Sequence, residues 1–260
     1  MKIKTFGPVD ERSLQQLERC MDAGDAEYGV LWADHHPGYS QPIGGAIAYE
    51  GYVSPSGVGY DIGCGNKAAC TELTVNDLEA LGGVPRIMGE ITRRISFGMG
   101  VPAQERTDHP VLDKIAVAEF EPQRKLVQNA ANQLGTVGSG NHDVNLMEDE
   151  QGRVWIGVHF GSRGFGHKTA SGFLVLAQGL PFDGHAADGE MDSPPVLLEL
   201  GTELGDSYIA AMQLAGEYAY AAATWSLPRC SRSSAPTRST RCTTITTSPG
   251  ARITVAAPTG

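Results

Sequence analysis

The window from Asp34 to Lys67 constrains this chain more than any other, because it packs eight glycines around a set of metal-ligating and proton-carrying side chains. It opens as Asp34-His35-His36-Pro37-Gly38 and closes as Gly57-Val58-Gly59-Tyr60-Asp61-Ile62-Gly63-Cys64-Gly65-Asn66-Lys67. Residues without a Cβ let the backbone adopt positive φ and approach a ligand closely, so the closing run predicts a tightly folded loop. Asp61 and Cys64 stand three apart in that loop and can both aim at one ion. A thiolate beside a carboxylate suits a borderline-soft transition metal such as Zn or Mn better than Mg or Ca. A turn-forming Asp followed by a small buried thiol has the same spelling, and the pair alone does not separate the two readings.

The flanking sequence predicts alternating helices and strands. Leu14, Leu17 and Met21 recur at helical spacing over residues 11–23, with Asp10 as N-cap and Gly24 as stop. Tyr28 to Ala33 is a short apolar run, predicted as a buried strand that delivers Asp34 and His36 to its end. Ile43 to Tyr52 predicts a hairpin or paired strand, and Lys67 to Leu73 another strand that leaves the glycine loop. Helical spacing returns from Asn76 to Ser96, broken at Gly82-Gly83, and again from Ala116 to Leu134, His167 to Ala177 and Glu199 to Ala221. Phe97 to Pro110 predicts a surface loop in which His109 is solvated.

Two later stretches carry chemistry. In Gly135-Thr136-Val137-Gly138-Ser139-Gly140-Asn141-His142, small residues predict a backbone nest for phosphate oxygens, with His142 as ligand or acid–base group. A Gly/Ser turn with an unrelated histidine fits that stretch equally. Val154 to Phe160 predicts a strand that ends with His159 and enters Gly161-Ser162-Arg163-Gly164-Phe165-Gly166. There His159 is a candidate ligand, and the Arg163 guanidinium can fork onto phosphate. The G-x-x-G-x-G spelling is a weak dinucleotide signal, since no acidic residue follows at the required place.

Composition excludes several classes. A net charge of -10 argues against a broadly basic nucleic-acid coat, while leaving room for a local basic channel or a metal-lined phosphate site. Five cysteines, an odd number without framework spacing, predict a reducing, cytoplasmic setting. No apolar run reaches the roughly 18 residues of a membrane span.

The blocks D-x-H-x-G-x-x-x-P-I-G-G, S-P-x-G-V-G-x-D-I-x-C-G, L-G-T-x-G-S-G-N-H and H-x-G-S-R-G, in this order, resemble the RtcB family of RNA ligases over about residues 28–220. The resemblance implies a mixed α+β fold around a central sheet whose strand ends hold Asp34, Asp61 to Cys64, and His159. It implies joining of an RNA 2',3'-cyclic phosphate or 3'-phosphate end to a 5'-hydroxyl, with Mn(II) and GTP, through a histidine-guanylate intermediate. Carried over by position, Asp61, Cys64, His142 and His159 are metal ligands, with Cys64 placed to bridge two ions. Asn141 contacts a GTP phosphate, and Asp34, His36 and Arg163 line the active site. Asp143 and Asn145 depart from the family's aromatic and acid after Asn-His.

The chain changes character near residue 222. Arg229, Arg232, Arg238, Arg241 and Arg252 are five of the 20 basic residues and follow the last acid, Glu217. The part before them therefore carries 15 basic and 30 acidic groups, about -15. The family's later H-N-H-H-N block, its guanylate-accepting histidine and its C-terminal lysine are not spelled in these residues. Read one base out of frame, however, Arg241 to Ala251 can spell V-H-N-H-H-N-F-A-W-R, and the residues from Ala223 an amphipathic helix. Residues 1–222 thus read as an N-terminal catalytic portion, and 223–260 as a low-complexity tail, disordered and out of frame after a shift near Ala221 to Ala223. A chain so altered is expected to be inactive. Two other functions fit the same residues: a metal-dependent RNA-end phosphohydrolase, and a non-catalytic, metal-stabilised RNA-end binder.

Overall fold

The computed structural model describes residues 2–184, 192–234 and 244–247. In chain order its elements are β1 (Lys2–Thr5), α1 (Glu11–Ala23), β2 (Tyr28–His36), β3 (Ile43–Ala48), β4 (Tyr52–Val53), α2 (Pro55–Val58), β5 (Gly65–Thr74), α3 (Val75–Ala80) and α4 (Gly83–Arg94). There follow α5 (Pro110–Ala116), α6 (Glu121–Arg124), α7 (Val127–Gln133), β6 (Asp143–Glu148), β7 (Arg153–Phe160), α8 (Arg163–Leu176), β8 (Leu198–Glu199), α9 (Glu203–Ser234) and β9 (Thr244–Thr247). The chain forms two units, one from Met1–Ile62, Ala118–Arg124 and Gly166–Leu214, the other from Gly63–Val117, Lys125–Phe165 and Ala215–Gly260. Among the described residues no helix is long and apolar enough to cross a membrane.

In the first unit α1 has the boundaries its sequence predicts. The Asp10 carboxylate accepts from the Ser13 backbone N–H at 2.8 Å and from its hydroxyl at 2.7 Å, which also holds the Asp10 carboxyl below its usual range. β2 pairs in parallel with β1 and antiparallel with β3. Leu17 and Met21 of α1 pack on Leu31 and Ala26, with Ile3, Leu14, Ile47 and Tyr49 around them. The opposite face is open: Tyr28 and Trp32 are 50% and 51% exposed. β2 is therefore buried on one face only, not on both as its apolar run predicts, because side chains alternate across a strand and α1 covers one side. A separate core gathers Val53, Phe173, Leu198, Tyr208 and Ala211 where β4 pairs with β8.

The second unit is built on an antiparallel sheet of order β6-β7-β5-β9. Val144, Val154, Ile156 and Val158 of its strands are buried, as are Ile87 and Ile91 of α4 and Ile95 just after it. Thr74 and Asp77 cap α3 reciprocally, and Gly82 at φ 100° turns the chain into α4, which accounts for the predicted break. Residues 116–134 are not one helix: Val117 ends α5, and α6 and α7 follow as short pieces. α5 begins at Pro110, where the predicted loop ends, and covers residues to which the sequence pattern assigns no element. His109 caps it, its Nδ1 accepting from the Val111 backbone N–H at 3.1 Å.

The mixed α+β class stands, but the expected central sheet is three sheets among the described residues. Asp34 lies near the end of a strand of one, while His159 lies in a strand of another and Cys64 immediately precedes one of that sheet's strands. Beyond residue 222, α9 continues to Ser234 and β9 pairs with β5; residues 235–243 and 248–260 of the predicted tail lie outside the described residues.

Candidate metal centre

Antiparallel order explains why distant residues meet in the second unit. β5 and β6 both begin where β7 ends, since Asn66 and Asp143 each stand opposite His159 in the register. Cys64 immediately precedes β5, and His142 immediately precedes β6. Cys64 Sγ lies 3.5 Å from His142 Nε2 and 3.4 Å from His159 Nε2. A tetrahedral ion with metal–sulfur and metal–nitrogen bonds of about 2.3 and 2.0–2.1 Å would set its S and N ligands about 3.5 Å apart. The thiol and imidazoles therefore already have the spacing of co-ligands. Asp61 stands three residues before Cys64 in the same turn. Cys64 is common to both imidazole contacts, and such a sulfur and nitrogen set fits a borderline-soft divalent ion.

Neighbouring side chains fix which nitrogens face the sulfur. His159 Nδ1 donates to Asn66 Oδ1 at 2.8 Å, which leaves the Nε2 lone pair on the Cys64 side. Asn141, exposed at the rim, places Nδ2 3.4 Å from that same Nε2. Arg163 is 8% exposed and donates from Nη1 to His142 Nδ1 at 3.0 Å and from Nε to Thr136 Oγ1 at 3.4 Å. A guanidinium has donors only, so His142 Nδ1 is the acceptor in this contact. Ligation through Nε2 would need the ring proton on Nδ1 and would therefore end the bond from Arg163.

Arg163 holds φ at 55°, a conformation unusual for a side chain of its size, at the start of α8. The next residue is anchored by a 2.8 Å bond from the Gly164 N–H to Gln133 Oε1. Gly138 supplies room: a Cβ there would run into both His142 Nδ1 and Arg163 Nη1.

Of the residues the sequence singles out, the second unit brings together Cys64, Asn141, His142, His159 and Arg163, while Asp61 is in the first unit, three residues before Cys64 in the chain. Asp34 and His36 lie in the first unit at the end of β2, both exposed, with His36 Nδ1 bonded to the Asp34 carbonyl at 3.0 Å. Their neighbour His35 is buried and structural. Its Nε2 accepts from the Asp10 N–H at 2.9 Å, and its Nδ1 donates to the Trp32 carbonyl. Asn66, Thr136 and Gly138 are additions to the predicted set. Asn66 was open to inference only through strand register, which pairs it with His159.

A family model described as "tRNA-splicing ligase RtcB" matches residues 23–121 and 112–226. The chain is 28% identical over 264 aligned residues to a tRNA-splicing ligase RtcB of Thermococcus kodakarensis, covering 81% of this chain and 53% of the relative. It is 29% identical over 269 residues to the Aeropyrum pernix protein of the same name, with the same coverage. It is 35% identical over 169 residues to an RNA-splicing ligase RtcB of Escherichia coli K12, covering 57% and 40%. The chain thus spans about half the length of the curated relatives it matches.

Proposed function

The chain belongs to the RtcB family, and from that premise we propose that Asp61, Cys64, His142 and His159 are metal ligands of an RNA-ligase centre. The reaction joins a 2',3'-cyclic phosphate or 3'-phosphate RNA end to a 5'-hydroxyl end, with Mn(II) and GTP. The observation that carries the reading is the Cys64 thiol set 3.4–3.5 Å from two imidazole nitrogens.

When bound, Mn(II) would neutralise phosphate charge and orient the displaced group. The chain's own residues prepare the rest. Asn66 keeps the His159 lone pair on the Cys64 side, and Arg163 holds His142 until a phosphate competes for the guanidinium's donors. Asn141, at the rim, is assigned to a GTP phosphate. Asp34 and His36 enter as active-site residues on the family pattern alone.

The reading frame, we further propose, shifts near Ala221 to Ala223. In support, the family match stops at residue 226, and no acid follows Glu217. The ligation reading is tested with this chain and a frame-restored version, each given 3'-phosphate and 5'-hydroxyl RNA with Mn(II), with and without GTP. The restored chain is expected to ligate only with GTP, and the 260-residue chain to form no covalent GMP adduct. Phosphate release without GTP would replace ligation by phosphohydrolysis, and binding without turnover would leave an RNA-end binder. An unbroken frame through codon 260 in clean DNA reads would refute the frame shift.

A further inference from the structure

The open face of the β1-β2-β3 sheet carries a pattern the metal centre does not use. Register places Lys2 beside Tyr28 and Lys4 beside Val30, with Ala48 and Ala46 opposite those two on β3. Ile3, Leu31 and Ile47 point the other way, into the core against α1. Period-two alternation therefore puts Lys2, Lys4, Tyr28, Val30, Trp32, Asp34, Ala46 and Ala48 on one face, two lysines against the one acid near the end of β2.

The aromatic groups on this face are organised and accessible. Phe6, just beyond β1, stacks on Trp32 with ring centroids 5.0 Å apart and planes 11° from parallel. Lys4 Nζ lies 4.9 Å from the Phe6 ring centroid, and Lys2 Nζ 5.2 Å from that of Tyr28. Trp32 and Tyr28 remain half exposed, while the two alanines leave a shallow floor beside them. Exposed aromatic rings interleaved with lysines suit a strand whose bases are unstacked and whose backbone is anionic: rings take bases, ammonium groups take phosphates. Duplex RNA hides its base faces, and an apolar protein partner would gain nothing from the lysines. In a chain of net charge -10 the lysine pair supplies local charge complementarity to a polyanion.

We propose that this face is a binding platform for single-stranded RNA, with Trp32 and Tyr28 stacking bases and Lys2 and Lys4 neutralising phosphates. It shares an RNA ligand with the ligation reading but needs neither metal, GTP nor a phosphorylated end.

The test uses the full 260-residue chain in EDTA and a 5'-fluorescein-labelled decauridylate with a 3'-hydroxyl, read by anisotropy. Trp32→Ala is expected to weaken binding about tenfold or more while Trp32→Tyr restores most of it. Lys2→Gln with Lys4→Gln should lower the slope of log affinity against log salt by about 1.4. Cys64→Ser should leave decamer binding unchanged, so that failure here is distinguishable from failure of the ligase centre. Circular dichroism melting checks that each variant is folded. Equal affinity in Trp32→Ala, equal binding of a ten-base-pair RNA duplex, or no decamer binding by the parent would overturn the proposal. So would a dimer in sedimentation that Trp32→Ala dissolves, since a second copy would then occupy the face.

Discussion

His35 and His159 each stand at the end of a strand with an apolar run behind it, yet their rings are committed differently. At the end of β2, His35 gives both nitrogens to backbone, accepting from Asp10 and donating to Trp32. At the end of β7, His159 gives Nδ1 to Asn66 and turns Nε2 towards a thiol that already faces a second imidazole. A ligand histidine needs one nitrogen tied down and the other left beside further donors; a structural histidine has neither to spare. Sequence position does not distinguish them, since both follow the same strand grammar.

The largest way to break this contrast is to fill the space at Gly138. Gly138→Val is expected to displace His142 and Arg163 together and to lower Mn(II) affinity by about 100-fold or more, measured by isothermal titration. Unchanged affinity would show that these two side chains are not held as described.

Next in size is the pair of histidine partners. Asn66→Leu should cost about 10- to 100-fold in metal affinity with little change in melting temperature. His35→Leu should do the reverse, leaving metal affinity intact and lowering stability by about 1–3 kcal/mol in urea unfolding, because the Asp10 N–H and Trp32 carbonyl lose their partner. Weakened metal binding in His35→Leu would remove the distinction between the two strand ends.

The smallest effect concerns the turn at the far end of the β6–β7 hairpin. The Trp155 indole N–H donates to Asp149 at 2.8 Å and Arg153 adds further bonds, holding the Asp149 carboxyl down at about 2. A carboxyl lowered on folding contributes stability above its ordinary pKa of about 4, and loses it as pH falls towards 2. Melting curves between pH 5 and pH 2.5 should show a smaller acid loss for Asp149→Asn than for the parent, with metal affinity at neutral pH unchanged.

Local chemistry was legible in the sequence, and register was not. Asp10 and Gly24 fix the ends of α1 because a cap acts within four residues. The D-x-x-C turn and the two glycine-rich blocks ending in His142 and following His159 are likewise short-range signals, so the side chains that gather around Cys64 are spelled in the sequence. Asn66 was not legible as one of them, since its role depends on pairing with a residue 93 positions away. β6 escaped for a similar reason: its six residues bury only Val144 and gain a partner through the sheet. The exposure of Tyr28 and Trp32 was hidden by their hydrophobicity, which marks a buried strand until the covering helix is known to lie on one side. α5 was missed because its cap is an imidazole rather than a hydroxyl or carboxylate.

Cys64 is proposed as the shared donor of a metal centre with His142 and His159, a role open to measurement. Its most direct test is a Co(II) titration of the parent chain and of Cys64→Ser, followed by absorption. A thiolate-to-cobalt charge-transfer band is expected to saturate in the parent and to be missing from Cys64→Ser. The same band at the same Co(II) concentrations in both, or cobalt binding to the parent without the band, would contradict that role.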